Sequence, residues 1–257
     1  MGWLEFGVLF VSAIAAGAIN AVAGGGSFIS FPALLLAGVP AISANATNTV
    51  ALWPGVVASV GAYRRELATQ RNGIVLFSVI SLVGGLIGAL ILLQTRESVF
   101  EQLIPYLLLL ATVVFTFSPQ ITRLTRHLSR NASREGNRAQ RIGILVLYFA
   151  IAVYGGFFGA GLGILTLAVL SLLGLDNIHE MNALKTLQAG LVNGIAVVTF
   201  ALAGVVQWPA ALLMAVGAII GGYGGAAIAR QIKPIYIRRL VIVISVGLTI
   251  YFFVNRG

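Results

Sequence analysis

Long apolar segments alternate with short polar ones along the whole chain. Charged residues gather at 64–71, 94–101, 120–141 and 230–239, and the stretches between these clusters are almost free of charge. Such stretches are too long for the strands of a membrane barrel, and they match the ~20 apolar residues that a membrane helix needs. The pattern therefore predicts an all-α polytopic membrane protein.

Composition supports this class and narrows the chemistry. Of the 257 residues, 59% are hydrophobic and 9% are charged, whereas soluble domains carry about a quarter charged residues. The chain has no cysteine, which excludes disulfides and thiolate metal sites. Its two histidines, His127 and His179, lie far apart in the sequence. We therefore expect neither a metal site nor a cofactor.

The net charge of +9 does not by itself indicate nucleic-acid binding. The basic residues lie in short loops between apolar segments, which is the positive-inside pattern of an inner membrane protein. We therefore expect a multi-pass inner membrane protein that has the lipid bilayer as a partner and no nucleic-acid partner.

The sequence contains an internal repeat. One constant shift without gaps superimposes uncommon residues of the first half on the second: Gly24 on Gly161, Gly26 on Gly163, Asn45 on Asn182, Thr49 on Thr186, and Gly88 on Gly225. A shared offset over so long a stretch indicates two homologous halves. We assign residues 1–118 to the first membrane repeat, 119–140 to a basic cytoplasmic linker, and 141–257 to the second membrane repeat.

Matched loops of the two halves differ in charge. Loop 64–71 is rich in arginine, and its counterpart 201–208 has no charged residue. The bias reverses between 94–101, which has one arginine, and 231–238, which has two basic residues. By the positive-inside rule, matched loops then face opposite compartments, which predicts an inverted-topology repeat. The loops predicted to be cytoplasmic are 64–71, 119–140 and 230–239, and both termini are predicted to be periplasmic.

Each half begins with a long apolar segment that has glycines near its middle. The segments are 4–38, with "AGGGS" at 23–27, and 142–174, with "FGAGLG" at 158–163. We interpret each as a hairpin that enters the membrane and turns back at its glycines, followed by three transmembrane helices. A broken helix that spans the membrane is the alternative. Two other glycine clusters, "GGLIG" (84–88) and "GGYGG" (221–225), are expected to serve close helix packing.

The glycine turns are candidates for an anion site. Glycine permits irregular backbone, and the second arm of each hairpin is expected to begin there, at about Ser27 and Ile164. A helix start offers free N–H donors and a partial positive charge, and two starts from inverted halves would point at one midplane region. The alternative is that these glycines only let helices pack closely.

Polar residues near the turns complete the predicted site. The predicted substrate-binding residues are the turn glycines and nearby hydrogen-bond donors: Asn20, Gly24, Gly25, Gly26, Ser27, Asn45, Thr47, Asn48, Gly161, Gly163, Lys185, Gln188 and Asn193. For Lys185, ligand binding and snorkelling to the cytoplasmic face are equally supported. No Asp or Glu lies in the middle of an apolar segment, which disfavours a carboxylate proton relay and an acidic cation channel.

At this level of detail the sequence resembles the TauE/SafE family of membrane permeases. The resemblance rests on "NAVAGGGSFISFP" (20–32), "GAYRREL" (61–67) and "YGGFFGAGLGILTL" (154–167), and it extends over essentially the whole chain. It implies a bacterial inner membrane protein with two related halves that carries sulfite, thiosulfate or C2 sulfonates such as sulfoacetate. The residues alone indicate only a small anion.

We therefore expect a secondary transporter or facilitator of small sulfur-containing anions. A permease or channel for a different solute, such as a carboxylate or a metal ion, is the alternative. An enzyme is not expected, because the sequence offers no nucleophile–base pair and no metal cluster, and therefore no catalytic residue. A monomer and a homodimer are equally compatible with the sequence.

Overall fold

The structure is a computed structural model, and it describes residues 2–22, 25–64, 67, 71–131, 138–173, 175, 177–229 and 234–254. Gly24 of the predicted site lies outside these residues. The predicted cytoplasmic segments are described only in part.

Helices make up nearly all of the described chain, which contains no β-strand. They are α1 (Trp3–Val22), α2 (Ser27–Leu36), α3 (Ala41–Ala62), α4 (Arg71–Gln94), α5 (Glu97–Thr116), α6 (Ser118–Asn131), α7 (Arg138–Phe157), α8 (Leu162–Leu172), α9 (Ile178–Leu202), α10 (Trp208–Ala229) and α11 (Pro234–Val254). The second arms begin close to the predicted positions, α2 at Ser27 and α8 at Leu162.

The all-α membrane class is confirmed. Within the described residues, 5 helices are long and apolar enough to cross a membrane: Trp3–Asn20, Ile74–Gln94, Glu97–Thr116, Ala139–Phe157 and His179–Leu202. Apolar side chains also cover the outer surface, as on α4, where Val75 is 70% and Val79 is 52% exposed. Water would make such a surface costly, whereas lipid does not.

Each half begins with one long and one short helix. In the first half, α1 has 20 residues and α2 has 10. In the second half, α7 has 20 residues and α8 has 11. The long helices therefore measure about 30 Å and the short ones about 15 Å. The two arms are unequal, although the sequence places the glycines near the middle of each apolar segment.

The short helices run back along the long ones. In the second half, Ser81 of α4 forms a hydrogen bond with Gln188 of α9. Four residues further along both helices, Gly85 lies beside Val192, so α4 and α9 are parallel. Gly84 lies beside Ala152, and Gly88 lies beside Phe157, so α7 is parallel to α4 as well.

Because α7 and α9 run in one direction, α8 between them must run in the other. The first half is built in the same way. Phe10 and Ile14 of α1 face Gly217 and Gly221 of α10, so α1 and α10 are parallel. Thr47 of α3 bonds the backbone at Gln207, just before α10.

Glycines let the parallel helices approach closely, as expected for the two packing clusters. A Cβ added at Gly88 would lie 2.8 Å from the backbone nitrogen of Phe157, and one at Gly84 would lie 2.6 Å from Cβ of Ala152. Gly221 of the second cluster packs in the same manner against the backbone of Ile14. These separations leave no room for a side chain, so dispersion contacts between backbones hold the helices together.

Two hydrogen bonds join residues that are separated by the offset of the predicted repeat. The indole Nε1 of Trp53 donates to the carbonyl of Gly190 at 3.0 Å, and the Thr112 and Thr249 hydroxyls lie 3.5 Å apart; each pair is separated by 137 residues. Where α3 meets α9, Trp53 lies beside Gly194 while Val60 lies beside Gly190, so these helices are antiparallel.

Aromatic side chains fill the interior where the two hairpins meet. Phe31 of α2 packs edge-on against Phe158 of the second turn, with ring centroids 5.5 Å apart. Phe28 packs in the same way against Phe115 of α5, at 5.8 Å. The two hairpins and α5 therefore share one core, and a change in one hairpin is felt by the other.

Gly88→Ala should destabilise the protein by about 1–3 kcal/mol, because the added methyl overlaps the α7 backbone. Gly143→Ala in α7 is the matched control, since nothing lies within 4 Å of its Cβ position; it should be neutral or stabilise by about 0.5–1 kcal/mol. The measurement is the thermal unfolding midpoint in detergent. Equal midpoints for the two variants would contradict the packing assignment.

Candidate functional site

The turn between α7 and α8 requires glycine. Gly159 and Gly161 have φ of +78° and +79°, a region that residues with a Cβ rarely adopt. The hydroxyl of Tyr154 donates to the carbonyl of Ala160 at 2.7 Å, which ties the turn to the end of α7. The turn is therefore a fixed structure and not a loose connection.

This second turn presents backbone donors. The N–H of Leu162 bonds the carbonyl of Gly159, and the N–H of Ile164 bonds that of Gly161. For the N–H groups of Gly161 and Gly163, no acceptor is found among the described residues. Free N–H groups at the start of a helix are suited to an anion.

In the first turn, side chains of α1 and α2 bond the backbone at Gly26. The amide oxygen of Asn20 accepts from the N–H of Gly26 at 3.2 Å, and the hydroxyl of Ser30 donates to the carbonyl of Gly26. Gly25 is buried, and a Cβ there would lie 2.9 Å from Val241. Ser27 is half-buried. Asn20 therefore supports the turn that the sequence expected it to serve.

The two turns lie beside the same part of α5. A Cβ at Gly25 would be 3.2 Å from the ring of Phe115, and one at Gly161 would be 3.7 Å from the Val114 side chain and 3.8 Å from Cα of Ala111. Residues 111–115 span little more than one helical turn. The structure therefore brings the two predicted turns into one region.

The polar residues of α3 are buried and paired with other parts of the protein. The amide of Asn45 donates to the carbonyl of Phe157 at 3.0 Å, so the first half caps the end of α7. Thr47 accepts from the N–H of Gln207 at 3.0 Å, and Asn48 accepts from the hydroxyl of Ser30. These three predicted site residues connect helices and hold the hairpins in place.

Lys185 lies along the start of α8. Its side chain passes 3.4 Å from the Cβ position of Gly163, and its Nζ donates to the amide oxygen of Asn182 at 3.2 Å. The amide oxygen of Asn193 lies 3.7 Å from the Cβ position of Gly159. One ammonium and one amide of α9 therefore accompany the second turn.

Gln188 faces a different neighbourhood. Its Oε1 accepts from the hydroxyl of Ser81 at 2.7 Å, and that hydroxyl lies 2.5 Å from the hydroxyl of Tyr148. Its Nε2 is buried and has no hydrogen-bond partner among the described residues. Gln188 also borders a cavity of about 180 Å³ whose other walls are apolar: Ile74, Phe77, Leu170, Leu173, Leu175 and Leu184.

Sequence reasoning missed Ser81, which bonds Gln188, Tyr148, which bonds Ser81, and the tyrosine that ties the second turn. Ser81, Tyr148 and Tyr154 each stand nearly alone among apolar residues. Polar side chains in a membrane helix usually face its interior partners, and that signal was available. Which partner each one meets depends on tertiary packing.

Comparison with known proteins now adds to this geometry. The family model described as "Sulfite exporter TauE/SafE" matches residues 9–252. The chain belongs to the TauE/SafE family. This confirms the resemblance found in the sequence motifs. No solved structure matches the chain.

Curated TauE/SafE relatives match along nearly their whole length. A "Probable membrane transporter protein" of Haemophilus influenzae is 28% identical over 97% of this chain and 95% of the relative. "Probable membrane transporter protein ORF9" of Sinorhizobium sp is 28% identical over 94% and 90%. "Probable membrane transporter protein YfcA" of Escherichia coli K12 is 27% identical over 94% and 87%. The chain is thus a multi-pass membrane transporter of the TauE/SafE family and not an enzyme.

Gln188→Leu should leave the stability of this TauE/SafE protein within about 1 kcal/mol of wild type, because it removes a buried donor that has no partner. Ser81→Ala is the comparison, and it should cost about 1–3 kcal/mol, since it leaves both Tyr148 and Gln188 unpaired. Thermal unfolding of both variants measures the difference. If Gln188→Leu is as destabilising as Ser81→Ala, the amide has a structural role that its contacts do not reveal.

Proposed function

We propose that this transporter moves small sulfur-containing anions, such as sulfite, thiosulfate or C2 sulfonates, across the bacterial inner membrane. The observation that carries the proposal is the second turn. There, the N–H groups of Gly161 and Gly163 have no acceptor among the described residues, and the side chain of Lys185 lies alongside. The description of the family supports the choice of sulfur-containing anions.

The donor set suits an oxyanion. Backbone N–H groups at a helix start contribute a partial positive charge without a buried ion, and an ammonium adds a full charge. The amide of Asn193 lies close to the same turn, although only its NH₂ group could donate to an anion. Tetrahedral and pyramidal sulfur oxyanions have several oxygens, which match several donors that converge from different elements.

The proposal places this turn inside the bilayer. Phe157, which ends α7, lies beside Gly88 of the parallel helix α4. From Gly88, α4 continues to Gln94, about 9 Å of helix beyond the level of the turn. The turn therefore ends short of the far end of a membrane-spanning helix, which supports a hairpin that enters and returns.

The proposal also treats the two halves as inverted copies. Each first-half helix has a counterpart with the same neighbours, as α1 packs on α10 and α7 packs on α4. Counterparts α3 and α9 cross antiparallel at Trp53 and Gly190, positions that correspond in the repeat. Contacts between matched positions are expected on the two-fold axis of an inverted repeat, where transporters bind their substrates.

Within this proposal the two turns have different roles. The N–H of Gly26 is used by Asn20, and Gly25 is packed against Phe115. The first turn, together with Asn45, Thr47 and Asn48, would therefore hold the framework. The anion would be bound mainly by four residues of the second turn and α9: Gly161, Gly163, Lys185 and Asn193. Gln188 would lie on the path that the anion takes through the protein.

A carboxylate remains the second candidate substrate. The position of Lys185 beside the second turn favours a carboxylate as much as it favours a sulfur-containing anion. An ammonium and backbone N–H groups bind carboxylate oxygens as well as sulfonate oxygens. A metal cation fits these donors poorly, because N–H groups and an ammonium repel it. The substrate therefore has to be identified by measurement of transport.

Proteoliposomes that contain the purified protein should show saturable uptake of labelled sulfite, thiosulfate or sulfoacetate above that of empty liposomes. Imposed pH and Na⁺ gradients will identify the coupling ion. Acetate and another carboxylate serve as the comparison. Saturable flux of carboxylates alone would replace the sulfur anion by the second candidate, and no saturable flux of any anion would refute the proposal.

Lys185→Met should raise KM for the transported anion by about ten-fold or more, since a charge-assisted hydrogen bond contributes about 1.5–3 kcal/mol. Lys185→Arg, which keeps the charge, should lose less. Thermal unfolding of both variants checks that the fold is intact. Unchanged kinetics in Lys185→Met would show that this lysine only reaches toward the membrane surface.

A further inference from the structure

Helix α6, in the linker between the two halves, has a basic sequence that the proposed transport site does not explain. Its sequence, "SPQITRLTRHLSRN", contains three arginines and no acidic residue. Arg123, Arg126 and Arg130 are spaced three and four residues apart, so these positions lie on one face of the helix. We call this face the arginine stripe.

The face of α6 that contains Thr125 rests on the protein. Thr125 is only 8% exposed, and α6 packs against the short helix α8. The Thr125 hydroxyl donates to the carbonyl of Ile121 at 3.0 Å, and that of Thr122 donates to the carbonyl of Ser118 at 2.9 Å. Because these hydroxyls are satisfied within α6, this face can pack against apolar α8 without an unpaired polar group.

The edge between these two faces is apolar and uncovered. Leu124 is 59% exposed, and Arg123 beside it is exposed as well. The neighbouring helices Glu97–Thr116 and Ala139–Phe157 are both membrane-span candidates. Since α6 joins the end of one to the start of the other, it lies at a membrane surface.

We propose that the arginine stripe of α6 binds the headgroups of anionic phospholipids, while the side chain of Leu124 inserts between the acyl chains next to these headgroups. Arginine forms bidentate hydrogen bonds with phosphate oxygens, and juxtamembrane basic residues are attracted to the anionic cytoplasmic leaflet. A helix with an exposed leucine, a basic face and little overall hydrophobicity is typical of an interfacial helix.

This lipid contact would also act on the second hairpin. Helix α8, on which α6 rests, starts at the turn that contains Gly161. A headgroup bound to α6 fixes the position of α6 and therefore restricts α8. Ligands that bind only the folded state raise its stability by mass action, so anionic lipid is expected to stabilise the protein whether or not the transport proposal is correct.

The test is a lipid titration of the purified full-length protein in detergent micelles. Phosphatidylglycerol should raise the unfolding midpoint, whereas phosphatidylcholine of the same chain length should not. Each arginine near an anionic surface contributes about a five-fold change in binding. The triple variant R123Q/R126Q/R130Q should therefore need roughly a hundred-fold more phosphatidylglycerol for the same shift.

Two further variants keep the test decisive if the triple variant folds poorly. R123K/R126K/R130K retains the charge and should retain most of the shift, which rules out a merely structural role of the arginines. Leu124→Gln retains every charge and should weaken the response to phosphatidylglycerol several-fold. Three results would each overturn the proposal. The first is an equal response to the two lipids, and the second is an undiminished response in both R123Q/R126Q/R130Q and Leu124→Gln. The third is an equal shift with inorganic phosphate.

Discussion

A peptide group inside a hydrocarbon layer has no water to bind, so every irregular stretch of backbone in a membrane must find its partners within the protein. In the proposed function the two glycine turns lie inside the bilayer, where that constraint would be most severe. The structure meets it by enclosure. The carbonyl of Phe157 accepts from Asn45 of the other half, and that of Ala160 accepts from Tyr154. Helix α5 covers both turns along residues 111–115. The N–H groups of Gly161 and Gly163 are among those left without an acceptor among the described residues.

Enclosure of this kind depends on very close helix packing. Helices α4 and α7 approach until the backbones of Gly85 and Gly156 touch, which no pair of larger residues would permit. The same device joins α1 to α10 at Gly17. Lipid offers no hydrophobic drive for two apolar helices to associate, so contact area and interhelical hydrogen bonds have to hold them together. The packing glycines therefore serve the turn glycines. They let the helices approach closely enough to enclose the two turns.

Much of this framework could be predicted from the sequence, because it follows from local patterns. The length of the apolar stretches predicted the helices, and the spacing of Gly84 and Gly88 predicted a packing face. The interactions that define the site could not be predicted, because they join residues distant in the chain. Asn45 was expected to bind the substrate, yet its amide is used by Phe157, 112 residues away. Similarly, Gln188 was grouped with the turn residues because of its polarity, and it instead meets Ser81, 107 residues away. Such pairs are a property of the packed structure alone.

The difference between the two turns bears on how a transporter can release what it binds. Two turns that both offered free N–H groups and a lysine would hold an anion from both sides, and tight binding opposes release. Here, the N–H of Gly26 in the first turn is already bonded to Asn20, and the lysine lies beside the second turn only. The ammonium of Lys185 has the amide oxygen of Asn182 as a partner, so it does not stay unpaired in a half-buried position when no anion is present. In the proposed function, an anion at this turn would exchange the hydrogen bond from Lys185 to the neutral amide of Asn182 for one between opposite charges, and the reverse exchange would let it leave.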